Sequence, residues 1–242
     1  MTEESKTDNQ ELEKLAKKLE KVEKEFEQFA YIVSHDLKAP LRAITNLSVW
    51  IEEDISDTAS TETRNYLQLL RQRVKRLEAL IDGITQYSHI GRIRTPAEVV
   101  DVSKLITEII KQLAPSPTLS IYVQPEMPQI KTEYVRLEQV FANIIKNAVQ
   151  FHNTNGHIEI HAQDIGNFYE FTVKDDGPGI APAYHEKVFG IFQTLLAPDK
   201  TNSIGMGLAL VKKIVEDYGG SIYLESILGQ GATFRFTWPK GE

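Results

Sequence analysis

The sequence predicts two architectures in tandem, a helical hairpin followed by an α/β sandwich, an α + α/β class. Three observations predict it. Apolar residues recur at heptad spacing over residues 12–84, the repeat stops in the Gly- and Pro-containing stretch 90–96, and short β-like runs then alternate with helical patterns. A chain of 242 residues is long enough for two modest domains with cores of their own.

The first seam runs through Leu12, Leu15, Leu19, Val22, Phe26, Phe29 and Val33, with Lys and Glu between, as in a coiled coil. It continues through Leu37, Leu41, Ile44, Ser48, Ile51 and Ile55, and the successive steps of four from Phe29 to Leu41 are a stutter that locally unwinds the supercoil. Small and polar residues 56–61 break the repeat before a second seam at Leu67, Leu70, Val74, Leu77, Ile81 and Ile84. Each apolar stripe of a lone hairpin is half covered, so the expectation is a homodimer forming a four-helix bundle. The expected division is a coiled-coil signalling helix at 1–30, the hairpin domain at 31–92, a linker at 93–100 and the sandwich at 101–242.

In the second half a helix is expected from residue 103 to about 114, capped by the Ser103 hydroxyl and stopped by Pro115. Strands are expected at 119–123, 156–162, 169–173, 221–225 and 233–238, with helices at 134–151 and 208–218. Such an order reads as helices packed on one face of a mixed sheet.

Composition excludes several function classes. With no cysteine there are no disulfides, thiol nucleophiles or thiolate metal sites, which fits a reducing cytoplasm. A net charge of −7 gives no basic footprint for nucleic acid. No apolar run approaches the roughly 20 residues of a membrane span, and the first residues lack a signal peptide's basic-then-apolar order.

Four local patterns carry chemistry. His35 lies between Val33 and Leu37, turned out of the apolar seam, with Asp36 beside it and Pro40 four residues beyond Asp36. An exposed imidazole oriented by a carboxylate is a competent nucleophile, although a lone solvent-facing His is the commoner occurrence. Asn143 and Asn147 share one helical face with Lys146 between them, and carboxamide oxygens suit Mg2+. Asp175-Asp176-Gly177-Pro178-Gly179 ends a β-run in a tight turn, with a carboxylate able to accept from an exocyclic amine or merely to shape the turn. Gly205-Met206-Gly207-Leu208 opens a helix whose free amides suit phosphate.

In this order the patterns resemble those of the histidine kinases. Residues 35–42 resemble the phosphoacceptor box, 143–151 the N box, 175–179 the G1 box, 189–192 the F box and 205–210 the G2 box, over almost the whole chain from about 26 to 239. The wording Ser34-His35-Asp36-Leu37-Lys38 is similar to that of phytochrome-type and related soluble bacterial kinases. The resemblance implies a GHKL (Bergerat) sandwich that binds ATP and Mg2+. It further implies autophosphorylation of His35 aided by Asp36, then transfer to an aspartate of a response-regulator receiver domain. Asp175 would receive the adenine amine on a turn shaped by Gly177 and Gly179, and Asn147 would hold Mg2+ with Asn143 nearby. Gly205, Gly207 and Leu208 would meet the phosphates. Residues 194–203 would form a lid carrying Lys200, with Phe189 and Phe192 anchoring it by packing. An upstream sensor domain or a separate sensor protein would supply the signal.

Two departures modify these expectations. Ala39 stands where many relatives carry Thr or Asn that positions water, so weak phosphatase activity is expected. Gln150 replaces a phosphate-reaching cation of some relatives, leaving Lys146 and Lys200 to stand in. Two other readings stay open: a catalytically silent dimeric scaffold that binds nucleotide, and a gyrase- or chaperone-like ATPase. The latter would need a general-base Glu where this chain has Asn143. His89, His152, His157 and His161 carry no such context, the last two alternating on a strand face, and each is expected to be a surface or half-buried structural residue.

Overall fold

The computed structural model describes residues 3–55, 58–92, 94–152, 155–195 and 203–241. The chain divides into two compact units, Met1–His89 and Ile90–Glu242. No helix among the described residues is long and apolar enough to cross a membrane.

The first unit is a hairpin of α1 (Glu3–Asp54) and α2 (Thr61–His89). Helix α1 stays helical through Pro40, which removes one backbone bond without ending the helix. At the turn the Ser60 hydroxyl accepts from the Thr63 amide at 3.1 Å, capping α2. Between the helices Leu41, Val74 and Ile81 form a buried cluster. Buried hydroxyls share this seam: Ser34 and Thr85 meet at 2.6 Å, and Ser48 and Ser88 return their hydrogens to carbonyls three residues back. Ion pairs Lys38–Asp82 and Arg71–Glu52, both 2.7 Å, close the flanks.

Heptad spacing shows which stripe does what. Ser34, Leu41 and Ser48 on α1, and Val74, Ile81 and Ser88 on α2, are buried by the partner helix. A second stripe, Leu37, Ile44 and Ile51 with Leu70 and Leu77, is 41–48% exposed. Further up α1, Leu15, Leu19, Val22, Phe26 and Phe29 are also exposed.

The second unit begins with β1 (Glu98–Asp101), α3 (Val102–Leu113), β2 (Leu119–Val123), β3 (Gln129–Thr132) and α4 (Tyr134–Gln150). It ends with β4 (Gly156–Asp164), β5 (Phe168–Asp175), two 3-10 turns at Pro182–Tyr184 and Lys187–Phe189, α5 (Gly207–Asp217), β6 (Ile222–Ser226) and β7 (Ala232–Pro239). The five-stranded sheet runs β2-β4-β5-β7-β6, parallel only at β2–β4; β1 and β3 pair antiparallel in a separate ribbon. Phe141 on α4 packs edge-on against Phe171 and Phe236, with ring centroids 5.1 and 5.2 Å away, and seats that helix on the sheet. Trp238, fully buried, donates its indole N–H to Thr132 Oγ1 at 3.1 Å, tying β7 to the ribbon.

Three expectations change. Strand β1 begins within the stretch read as linker, at Glu98, and was missed because its four residues bury one side chain, Val100, and pair only with β3. Asp101, not Ser103, caps α3: its carboxylate accepts from the Lys104 amide at 3.1 Å, and Ser103 sits in the first turn. The helix ends at Leu113, where Ala114 turns left-handed at φ 42° before Pro115.

Candidate functional site

In the first unit the His35 side chain is 78% exposed, and its Nδ1 lies 3.0 Å from Asp36 Oδ1. A carboxylate only accepts, so Nδ1–H is the donor, which in the neutral ring leaves the lone pair on Nε2. Ser34, one residue earlier, is buried against Thr85 and fixes the helix face that presents the imidazole. Ala39 is exposed one turn further on.

In the second unit a cavity of about 230 Å3 opens at the sheet end where β5 meets β7. Helix α4 supplies Asn147 and Ala148, and its C-cap Phe151; the G1 turn supplies Asp175, Pro178 and Gly179; Gly205, Gly207 and Leu208 close it at the start of α5. Asp175 is 7% exposed and accepts the Gly177 amide at 2.9 Å. Burial pushes its carboxyl above the ordinary value, against the opposing pull of the Gly177 amide and the neighbouring His152 ring. A buried carboxylate with spare acceptor capacity, set in an apolar wall, recognises a donor such as an exocyclic amine.

Two glycines are required here by conformation. Gly179 (φ +66°) and Gly205 (φ +69°) are left-handed, and a Cβ on them would strike the carbonyls of Ile227 and Gln193. Gly207 is needed for closeness instead: a Cβ there would lie 2.7 Å from Asn143 Oδ1. The α5 cap, Met206, offers no side-chain acceptor, so first-turn amides are open to a phosphate.

Of the expected site residues, the structure brings Asn147, Asp175, Gly179, Gly205, Gly207 and Leu208 to one cavity. Asn143 lies one turn before Asn147, donates Nδ2 to the Gln139 carbonyl at 2.7 Å and sits beneath Gly207. Gly177 shapes the turn through its amide. Lys146 is exposed on α4 and does not line the cavity, because one residue before Asn147 it is rotated about 100° away. Lys200 and the rest of residues 196–202 lie outside the described residues; the flanking Thr194, Leu195 and Ser203 line the cavity. Phe189 packs edge-on against Phe234, a lining residue, and Phe192 is 47% exposed; the lid segment that the two were expected to anchor lies largely outside the described residues.

Sequence reasoning missed Ser226, whose hydroxyl accepts from the Ile180 amide and donates to the Gly231 carbonyl, both at 2.7 Å, joining the cavity loop to the β6–β7 turn. It also overlooked Glu159, which lies between His157 and His161 with nitrogen–oxygen distances of 3.2 and 3.4 Å. The His161 contact holds the Glu159 carboxyl below its ordinary value. Among the described residues no group of three His, Cys, Asp or Glu could hold a metal ion. A cation in the cavity would therefore lean on the Asn147 carboxamide, with substrate oxygens and water, a donor set that suits Mg2+.

Residues 27–93 match the family described as His Kinase A (phospho-acceptor) domain, and residues 132–242 match the Histidine kinase-, DNA gyrase B-, and HSP90-like ATPase family. Cyanobacterial phytochrome A of Nostoc sp. is 33% identical over 96% of this chain and 31% of its own length. The methanogenesis regulatory histidine kinase FilI of Methanothrix harundinacea is 30% identical over 89% of this chain and 25% of its own. The crystal structure of full-length ShkA in complex with AMPPNP superposes with a TM-score of 0.67 and 26% identity over 88% of this chain and 46% of that one. The chain thus spans about a third or less of the length of these two curated relatives.

Proposed function

The chain belongs to the histidine kinases, and from that premise we propose that it phosphorylates His35 with ATP and passes the phosphoryl group to an aspartate of a response-regulator receiver domain. The observation that carries the reading is the exposed imidazole with Nδ1 held by Asp36 at 3.0 Å. The cavity beside Asp175 supplies the place for the donor nucleotide.

The chemistry follows from these groups. With Nδ1–H donated to Asp36, His35 Nε2 attacks the γ-phosphorus in line; an N–P bond forms, the bond to the bridging oxygen breaks, and ADP leaves. The ring gains positive charge as the bond forms, and Asp36 stabilises it by drawing on the Nδ1 proton. Asp175 accepts the adenine amine, and the open amides at the start of α5 meet phosphate oxygens. Mg2+ held at Asn147 would offset phosphate charge. Because ATP is the donor, the reaction belongs in the cytoplasm.

The chain acts as a homodimer, since the stripe Leu37, Ile44, Ile51, Leu70 and Leu77 needs a second hairpin to cover it. An ATPase of the gyrase type is disfavoured: Asn143, where that chemistry needs a carboxylate base, is an amide already donating to Gln139. Ala39, with no hydrogen-bonding group on its side chain, supports weak phosphatase action on the regulator.

The reading is tested by incubating the purified chain with γ-labelled ATP and Mg2+ and treating the labelled protein with acid and alkali. Acid-labile, alkali-stable label is expected. Label of the opposite stability would overturn it, and nucleotide binding without label would shift the reading to the silent scaffold.

A further inference from the structure

We propose that His152, which no step above uses, is a positioning residue for nucleotide selection: its buried imidazole props the turn that carries Asp175 and aims that carboxylate at the exocyclic amine of adenine. The inference rests on the reading that the cavity takes ATP.

His152 follows the end of α4, and its side chain is 5% exposed. Its Nε2 is sealed from solvent and makes no hydrogen bond among the described residues, a costly state for a buried polar atom. The ring fills two recesses. A Cβ on Gly156, where β4 begins, would collide with the imidazole, and a Cβ on Gly177 would lie 3.6 Å from its Cε1 and 2.8 Å from Asp175 Oδ1. The imidazole therefore stands between the start of β4 and the turn after β5, immediately behind the adenine-facing carboxylate.

The turn has three further ties. Gly177 N–H donates to Asp175 Oδ1 at 2.9 Å, His157 N–H donates to Asp176 Oδ1 at 2.8 Å, and Asp176 N–H donates to the His157 carbonyl at 3.3 Å. His152 Nε2 lies 3.5 Å from Asp176 Oδ1, just beyond hydrogen-bond reach. A small closure of the turn, as a purine amine engages Asp175, brings Nε2–H onto Asp176 and satisfies the buried nitrogen. The two contacts are then coupled, and a base without the amine cannot complete the pair.

The test is calorimetric binding of ATP and of inosine triphosphate, which has a carbonyl in place of the amine, each with Mg2+. The proteins are the intact chain and its His152→Ala, His152→Gln and Asp175→Asn variants. His152→Ala is expected to weaken ATP about tenfold while leaving inosine triphosphate within about twofold. His152→Gln, whose amide can donate from a similar position, is expected to restore most of the ATP affinity. Equal weakening of both nucleotides would reduce His152 to packing and overturn the proposal. ATP binding lost in Asp175→Asn but untouched in both His152 variants would overturn it and leave the adenine reading standing. Failure of the unaltered chain to prefer ATP would sink both.

Discussion

Asp175 is the residue at which burial and function meet. Its ionised form is disfavoured by burial, yet that is the form which, in the proposed function, accepts the nucleotide's amine. The sign follows: with its carboxyl raised, ATP affinity should fall as pH drops from neutral, at a higher pH than an ordinary aspartate would dictate. The same group contributes the opposite trend to fold stability, which gains from Asp175 as pH falls and the buried charge is neutralised. Replacing Asp175 by Asn should weaken ATP by roughly ten- to a hundredfold and make the remaining affinity far less sensitive to acid, as titration with a fluorescent ATP analogue from pH 7 downward would reveal. Ala39 permits a gain-of-function check at the same scale: Ala39→Thr should raise the rate at which the chain dephosphorylates its regulator, and an unchanged rate would remove the explanation given for weak phosphatase action. His35 and Asp175 were both legible in the sequence, each standing in a short pattern of chemically fitting neighbours. His152 was not, because the glycines whose space it fills, Gly156 at the start of β4 and Gly177 in the turn after β5, are far apart in the sequence and meet only in the folded unit.

At the scale of elements, the start of α5 is held close to α4 through Gly207 over Asn143. Gly207→Ala should force the two helices apart at a cost of about 1–3 kcal/mol and abolish tight nucleotide binding, checked by thermal melting and by titration on one sample. Glu133, between β3 and α4, secures the entry to the second unit: it accepts from the Thr95 amide at 2.7 Å and pairs with Arg94, which also reaches Asp217 at 2.9 Å. Burial alone would raise the Glu133 carboxyl, but hydrogen bonds from the Thr95 amide, Tyr218, the Thr95 hydroxyl and Arg94 outweigh it and the net direction is down. A lowered carboxyl stabilises the fold above its unfolded value and loses that contribution as pH falls through the lowered one, so Glu133→Gln should flatten the acid limb of the unfolding profile. The larger elements were readable because their patterns are long: β2 matches the expected residues 119–123, and α4 differs by one residue at its end. Strands β1 and β3 escaped because each is four residues long and is defined by the other across the intervening α3 and β2. The α3 cap was misplaced because Asp101 and Ser103 both have capping side chains, and only the end of β1 decides which one the helix follows.

For the whole molecule, the proposed function divides the labour between the two units: the hairpin would present the acceptor, and the other unit would hold the donor. The hairpin's open stripe was visible in the heptads before any coordinates, since a two-helix pair cannot cover both rows of each seam. Placing Asp at Ile44 and Leu77 should convert a dimer to a monomer in sedimentation, with the sandwich unit's nucleotide affinity unchanged; a dimer that survives both changes would mean the stripe is not the interface. The central claim, that His35 accepts what the Asp175 cavity donates, is tested most directly by measuring label from γ-labelled ATP and nucleotide binding side by side in His35→Gln and Asp175→Asn. The account predicts no label on His35→Gln with ATP binding intact, and label reduced in step with the weakened ATP binding on Asp175→Asn. Label persisting on His35→Gln would contradict it.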